Sequence, residues 1–168
     1  ASFGQKGVLA LMSDSTNAES PGHQISEKIV GEELKKVLLA APGRIIIGTF
    51  SSLLTRIQQI LTISEELGKK VLIQGRSMQA NIEIAHELGY LKYKPGIFME
   101  DRDLHKMPPE KVVIVCTGAQ GEKNAALMRI AQNEHRFVSI ERGDTIIFSS
   151  SVIPGNENSV QRLMDTLY

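Results

Sequence analysis

Short apolar runs, each followed by a turn of small or hydroxyl-bearing residues, occur five times along this chain of 168 residues. They span residues 8–12, 45–47, 71–73, 112–116 and 146–148. Strands of this kind that alternate with helical segments indicate βαβ units and a mostly parallel sheet. If the runs are neighbouring parallel strands, the five turns lie along one edge of one sheet. Open α/β sheets bind ligands at that edge, where helix N-termini offer free N–H groups. The pattern therefore predicts a site for an anionic ligand.

Apolar residues at helical spacing mark the segments between these runs. They predict a helix from about Ser26 to Ala40, with Ser26 as its N-cap, because serine there can accept a backbone hydrogen bond. Further helices are expected around residues 53–67, 78–88, 125–131 and 160–167, and a short extra strand at 137–140. Residues 92–109 read as a surface loop with one helical turn near 101–105. The predicted fold is α/β, with three layers and a mostly parallel sheet of about five strands flanked by helices.

Composition excludes several classes of protein. Lysine plus arginine equals aspartate plus glutamate at 19 each, so nucleic acid would have to be bound by local geometry rather than by a global positive charge. No apolar run approaches the roughly 18 residues that a membrane span needs. The single cysteine, Cys116, excludes a disulfide within the chain and favours a cytoplasmic protein. Because the chain starts with alanine and soon enters an apolar run, we expect a fragment of a longer protein.

Three turns and one carboxylate are candidates for ligand contact. The turn at residues 49–52 brings Ser51 and Ser52, which would either cap the next helix or bind phosphate. The turn at 74–77 brings Arg76, whose guanidinium could bind a phosphate in bidentate fashion or cap a carbonyl. The turn at 117–122 has two glycines but matches neither a Walker loop nor a dinucleotide fingerprint. Asp14 could bind metal, orient a histidine or cap a turn. The four histidines lack metal-ligand spacing, so we expect no complete metal site within the chain.

Five motifs, taken together and in this order, resemble the ribonuclease J family. They are residues 11–19 (LMSDSTNAE), 49–52 (TFSS), 75–78 (GRSM), 117–122 (TGAQGE) and 149–157 (SSSVIPGNE). The resemblance is to the β-CASP domain, the insert of a metallo-β-lactamase nuclease core, and it covers nearly the whole chain. It implies that residues 1–17 are the end of the metallo-β-lactamase side together with the first strand, and that residues 18–168 are the β-CASP domain.

The resemblance also implies a function and a set of site residues. The family hydrolyses RNA with two zinc ions, as a 5′-to-3′ exonuclease and an endonuclease, and holds single-stranded RNA between the β-CASP and catalytic domains. The His-x-His-x-Asp-His and His-x-Ser-Gly-His metal motifs are absent from this sequence. We therefore expect zinc in the parent enzyme, none bound in this chain, and no activity of the chain alone. The parent could form a homo-oligomer.

The site residues follow from matching the motifs. Asp14 matches a carboxylate that orients a histidine outside this chain. The residues implied in RNA or phosphate contact are Ser51, Ser52, Arg76, Ser77, Gln120 and Glu122. The chain departs from the family at two positions: Ala119 stands where serine is usual, which removes one hydroxyl from the glycine-rich turn, and Leu53 stands where asparagine is usual. The competing hypotheses are a DNA- or tRNA-processing relative, a non-catalytic module that binds a phosphorylated small ligand, and a domain for dimerisation or partner docking.

Overall fold

A four-stranded sheet organises the chain. The computed structural model describes residues 2–15, 18–19, 21–23 and 25–168. The strands are β1 (Ile45–Gly48), β2 (Lys70–Gln74), β3 (Val112–Cys116) and β4 (Thr145–Phe148). The α-helices are α1 (Ser2–Lys6), α2 (Glu27–Ala40), α3 (Leu54–Glu66), α4 (Arg76–Glu87), α5 (Ala126–Ala131) and α6 (Glu157–Leu167). Two 3-10 helices, Asp101–Lys106 and Pro109–Lys111, precede β3.

The sheet is entirely parallel, and its strands lie in the order β2, β3, β1, β4. β1 and β3 occupy the centre, and every residue of these two strands is buried, as expected for strands covered on both faces. In register, Gly48 pairs with Cys116 on one side and with Phe148 on the other. Gln74 pairs with Cys116 as well, so all four strands end at the same level.

Two apolar layers cover the sheet. On one face α2, α3 and α4 pack against alternate strand residues such as Ile45 and Val113. On the other face α5 and α6 pack against the intervening residues, including Ile46 and Ile114. The predicted three-layer α/β architecture is confirmed. The helix predicted from about Ser26 begins one residue later, and the Ser26 hydroxyl accepts a hydrogen bond from the Ile29 N–H at 3.4 Å.

Two predicted strands are absent from the described part of the chain. Residues 8–12 form no strand, and Leu9 and Met12 are fully or almost fully exposed. An apolar run is therefore not sufficient for a strand, which also needs a neighbouring strand to pair with. Residues 137–140 are also irregular, although Val138 is buried against the α5 and α6 layer. The sheet therefore has four strands rather than about five. The loop at 92–109 carries the predicted helical turn, but Ile97 and Leu104 anchor it in the core.

No helix among the described residues is both long enough and apolar enough to cross a membrane.

Candidate functional site

The carboxyl ends of the four strands bring four of the five predicted turns to one edge of the sheet. Because the strands are parallel and end in register, Gly75, Thr117, Thr49 and Ser149 follow one another along that edge. The fifth turn, which contains Asp14, does not join them through a strand, since residues 8–12 form none. Helices α4 and α5 begin near this edge after β2 and β3.

A cleft of about 670 Å³ opens between the ends of β2 and β3. Its polar lining includes Arg76, Ser77, Thr117, Arg129 and His135, and it has no acidic side chain among the described residues. Arg76 is exposed at the first position of α4. The cleft therefore combines two guanidinium groups with hydroxyls at the positive end of a helix dipole, an arrangement that favours an anion.

Gly75 shapes the floor of this cleft. Its backbone has a φ of +115°, which side chains rarely adopt, and a Cβ there would lie 2.7 Å from the Thr117 hydroxyl oxygen. Gly75 is also the N-cap of α4, and no side chain caps the helix. A ligand can therefore approach the first N–H groups of α4 closely.

His135 enters the cleft with a defined tautomer. Its Nδ1 accepts hydrogen bonds from the backbone N–H groups of Phe137 (3.4 Å) and Val138 (3.2 Å). The neutral ring consequently carries its proton on Nε2, which is left to donate. Burial, reinforced by the nearby Arg129 cation, lowers the pKa of His135 below its usual 6.5, and Asp101 opposes this in part. At neutral pH His135 is a neutral hydrogen-bond donor.

Ser51 and Ser52 lie in the turn after β1, outside the lining of this cleft. Ser51 is half-buried, and its carbonyl accepts a hydrogen bond from the Asn81 side chain of α4 at 2.9 Å. Ser52 is exposed. The serine turn is therefore fixed to the same helix that carries Arg76, although the turn after β3 lies between the two along the sheet edge.

Gln120 is buried and its side chain points into the protein. Its Nε2 donates to the Ser151 carbonyl (2.9 Å) and to the Ser150 hydroxyl (3.3 Å). Its Oε1 accepts from the Ile153 N–H (2.9 Å) and from the Asn156 side chain (3.4 Å). These bonds hold the loop after β4, which we name the serine loop and define as residues 149–156. Glu122 is exposed, and its carboxylate accepts the Gln120 N–H at 3.1 Å.

The beginning of the serine loop is fixed by a second buried network. The Thr49 hydroxyl donates to the Ser149 carbonyl at 3.1 Å, and the Arg56 guanidinium donates to the Ser149 hydroxyl. Arg56 is itself buried, and its Nη2 donates to both carboxylate oxygens of Glu27, at 3.1 and 2.9 Å. Ser149 is therefore a structural residue that ties the end of β4 to α2 and α3.

Asp14 is exposed, and its backbone carbonyl accepts a hydrogen bond from the Ser13 hydroxyl at 3.3 Å. Elsewhere in the motif, Thr16 and Asn17 lie outside the described residues. Within the described ranges, no group of three or more His, Cys, Asp or Glu side chains could hold a metal ion. The donor set that zinc would need is not offered by this part of the chain, and Cys116, buried with its pKa raised to about 12, is a poor ligand.

Comparison with known proteins decides the family. The family model described as "Ribonuclease J, beta-CASP domain" matches residues 42–167. The chain belongs to the ribonuclease J β-CASP family. It is 47% identical over 167 residues to ribonuclease J 1 of Streptococcus pyogenes, and the match covers 99% of this chain and 30% of that protein. It is 44% identical to ribonuclease J of Thermus thermophilus over 168 residues, covering 100% of this chain and 29% of that protein.

A third relative, ribonuclease J2 of Bacillus subtilis, is 39% identical over 167 residues, which are 99% of this chain and 30% of that protein. This β-CASP chain thus spans less than a third of the curated relatives that it matches.

The motifs missed part of the cationic cleft, because its residues come from separate elements. Arg129 and His135 follow the TGAQGE motif by several residues and belong to no recognisable pattern. A signal for Arg129 exists in α5, where Ala126, Leu127, Met128 and Ile130 are buried and Arg129 is the exposed cation among them. A single charge on so apolar a helix marks the side that faces solvent or ligand.

Proposed function

We propose that this chain is the RNA-binding β-CASP domain of a metal-dependent, ribonuclease J-like 5′-to-3′ exo- and endoribonuclease. The observation that carries the proposal is the cleft at the open N-terminus of α4, whose lining among the described residues holds both Arg76 and Arg129 and no carboxylate. The net charge of zero makes this local concentration of cations informative, because no general basic surface would explain it. Membership of the ribonuclease J family supports RNA as the polyanion.

In this proposal the cleft holds a phosphate group of single-stranded RNA. The Arg76 guanidinium donates two parallel N–H bonds to phosphate oxygens, and Arg129 balances the remaining charge. The first N–H groups of α4 and the Ser77 hydroxyl supply further donors. His135 donates from Nε2 while neutral, so the contact needs no change of protonation at neutral pH. Ser51 and Ser52 contact the next part of the RNA backbone along the same edge of the sheet.

Gln120 and Glu122 have a different proposed part in RNA binding from Arg76. The Gln120 side chain uses both of its polar atoms within the protein, which supports an indirect role: it fixes the serine loop, and the loop faces the RNA. Glu122 is acidic and would repel a phosphate, so we propose that it fixes the 117–122 turn through the Gln120 N–H.

The chemistry of hydrolysis belongs, in this proposal, to the metallo-β-lactamase domain of the same polypeptide. Two zinc ions there would supply an activated water and stabilise the displacement at phosphorus. The described residues of this chain offer no metal site, so the chain alone is expected to bind RNA without cleaving it. Asp14 would orient a histidine of that domain. The exposed apolar side chains of residues 8–12 support the assignment of residues 1–17 to the catalytic side, since such side chains normally lie against other protein.

The test is fluorescence anisotropy with a short single-stranded RNA that carries a 5′-monophosphate or a 5′-hydroxyl, across a salt series. We expect Arg76→Ala and Arg129→Ala each to weaken binding about tenfold and to lower the salt slope by about one. Ser52→Ala should weaken it less. We also expect no cleavage of the RNA with added Zn²⁺.

The matched control is Arg142→Ala. Arg142 is an exposed arginine that precedes β4, at the opposite edge of the sheet. The substitution removes the same charge and should leave RNA affinity unchanged. If all three arginine variants lose RNA affinity equally, binding follows total charge and the cleft is not the RNA-binding site. A stronger affinity for inorganic phosphate or a free nucleotide than for RNA would favour the small-ligand hypothesis instead.

A further inference from the structure

A second cavity lies on the outer side of the edge strand β2, away from the serine loop. Its volume is about 760 Å³, within the range of ordinary ligand pockets. Helix α4 forms one wall and the segment from Tyr93 to Arg102 forms the other. None of the five motifs contributes to it, and the ribonuclease J resemblance leaves it unexplained. Gln79 lines both this cavity and the cationic cleft, so the two are neighbours.

Aromatic side chains form much of the cavity wall. The Tyr93 ring stacks on His86 with centroids 4.2 Å apart, and Phe98 meets Tyr93 edge to face at 4.8 Å. Phe137 closes another side, and the Arg136 guanidinium lies 4.9 Å from the centre of its ring. Aromatic rings bind cations through their negative faces, as the Phe137 ring does with Arg136.

The rim of the cavity is acidic. Glu83 and Glu87 stand one turn apart on α4, and Glu100 and Asp101 line the opposite wall. Glu100 pairs with Arg102 at 2.8 Å, and Asp101 accepts a hydrogen bond from the Gln74 side chain. Among the described residues, Glu83 and Glu87 form no ion pair. The lining thus carries four carboxylates against one arginine and one histidine, and this balance favours a positively charged occupant.

An apolar strip runs along α4 beside the two free carboxylates. Ile84 and Leu88 are one helical turn apart, like Glu83 and Glu87, and are offset from them by one residue. Their side chains are 54% and 67% exposed, and that of Tyr90 beyond the helix is 75% exposed. Exposed apolar side chains that lie together in this way mark surfaces that contact other protein. We name the cavity and this strip together the α4 groove.

We propose that the α4 groove docks a polypeptide segment of a partner protein, which inserts an arginine or lysine side chain into the cavity and lays apolar side chains on Ile84 and Leu88. Charge decides against RNA, since a phosphate backbone would meet the four carboxylates. The apolar strip decides against a free organic cation, which would leave it uncovered. Arginine suits the cavity better than lysine, because its planar group both stacks on aromatic rings and pairs with carboxylates. The proposal does not depend on the RNA-binding function.

The experiment titrates this chain with a fluorescein-labelled peptide of alternating leucine and arginine, and with the same peptide in which citrulline replaces arginine. We expect the arginine peptide to bind at least tenfold more tightly than the neutral one. The double variant Glu83→Gln/Glu87→Gln should abolish that difference. Methyl NMR should show the largest shifts at Ile84, Leu88 and Met99.

The control removes the same two charges elsewhere. Glu32→Gln/Glu134→Gln changes two exposed glutamates that do not line the groove, and it should bind the peptide like the unaltered chain. Arg76→Ala should also retain peptide binding, which separates this test from that of the RNA site. Equal binding of the arginine and citrulline peptides would overturn the proposal. So would tighter binding of N-acetylarginine amide or of a 5′-hydroxyl RNA in the groove, which would identify a small cation or a nucleobase as its occupant.

Discussion

Arg44 is a buried cation, 3% exposed, whose main partner is the Asp144 carboxylate. Its guanidinium contacts Asp144 at 2.9 and 2.6 Å, and both side chains are only 4% exposed. The hydrogen bond to Asp144 raises the pKa of Arg44, although desolvation opposes it. Arg44 directly precedes β1 and Asp144 directly precedes β4, so the pair joins the starts of these two strands. A backbone hydrogen bond from the Thr145 N–H to the Arg44 carbonyl lies beside it. The Arg44–Asp144 pair therefore helps to fix the amino ends of β1 and β4 against each other.

We expect Asp144→Ala to lower the free energy of unfolding by about 3 kcal/mol, because it leaves Arg44 buried without its main partner. Urea denaturation monitored by circular dichroism measures this. The control is Glu141→Gln. Glu141 also contacts Arg44, at 3.0 Å, but it is half-exposed, so its loss should cost less than about 1 kcal/mol. If the two substitutions cost the same, burial of the Arg44–Asp144 pair is not what stabilises this edge.

At the scale of elements, the serine loop is held in place by another loop, the turn after β3. Gln120 supplies four hydrogen bonds to it, and Gly121 next in the chain lies against α6, where a Cβ would be 2.2 Å from the Ser159 carbonyl oxygen. The turn after β3 therefore positions both the serine loop and the helix that follows it.

Replacing Gln120 with methionine keeps the volume of the side chain and removes these bonds. We expect amide exchange of residues 150–156 to accelerate by at least tenfold while exchange in β1 and β3 stays slow. Gln79→Met is a suitable comparison, since Gln79 donates to a single carbonyl, that of Ile73, at 3.1 Å and should leave the serine loop unchanged. RNA affinity that falls without any change in exchange would instead favour direct contact between Gln120 and RNA.

The elements show which parts of the structure were predictable from sequence. Helical periodicity located α2 to α6 well, because each buries one apolar face on the sheet. Residues 8–12 have the composition of a strand but form none, since a strand needs a partner and sequence composition does not reveal one. The motifs predicted Arg76 and Ser77 as site residues, and both line the cleft, but the motifs did not include Arg129 or His135. Those two reach it only through the packing of α5 and the loop after it.

For the whole molecule, the described core takes no residue from the first part of the chain. The two apolar layers draw on residues from Leu34 onward, and α2 is the first element that packs on the sheet. By contrast, Val8 and Leu11 are 61% and 86% exposed. Burial of apolar area contributes roughly 25 cal/mol per Å², so side chains this exposed add little to stability. The domain boundary proposed after residue 17 can therefore be tested by truncation.

We expect a chain of residues 18–168 to unfold within about 2 °C of the full chain, because residues 4–15 are all exposed and the truncation spares the Ser26 cap. Differential scanning calorimetry measures the midpoint, and light scattering should show less self-association once the exposed apolar side chains are gone. Truncation to residues 42–168 provides the contrast: it deletes α2, uncovers the α3 side of the core and should lower the midpoint by more than about 10 °C. A large loss for the shorter truncation would mean that residues 1–17 stabilise the β-CASP fold and do not belong to the catalytic side.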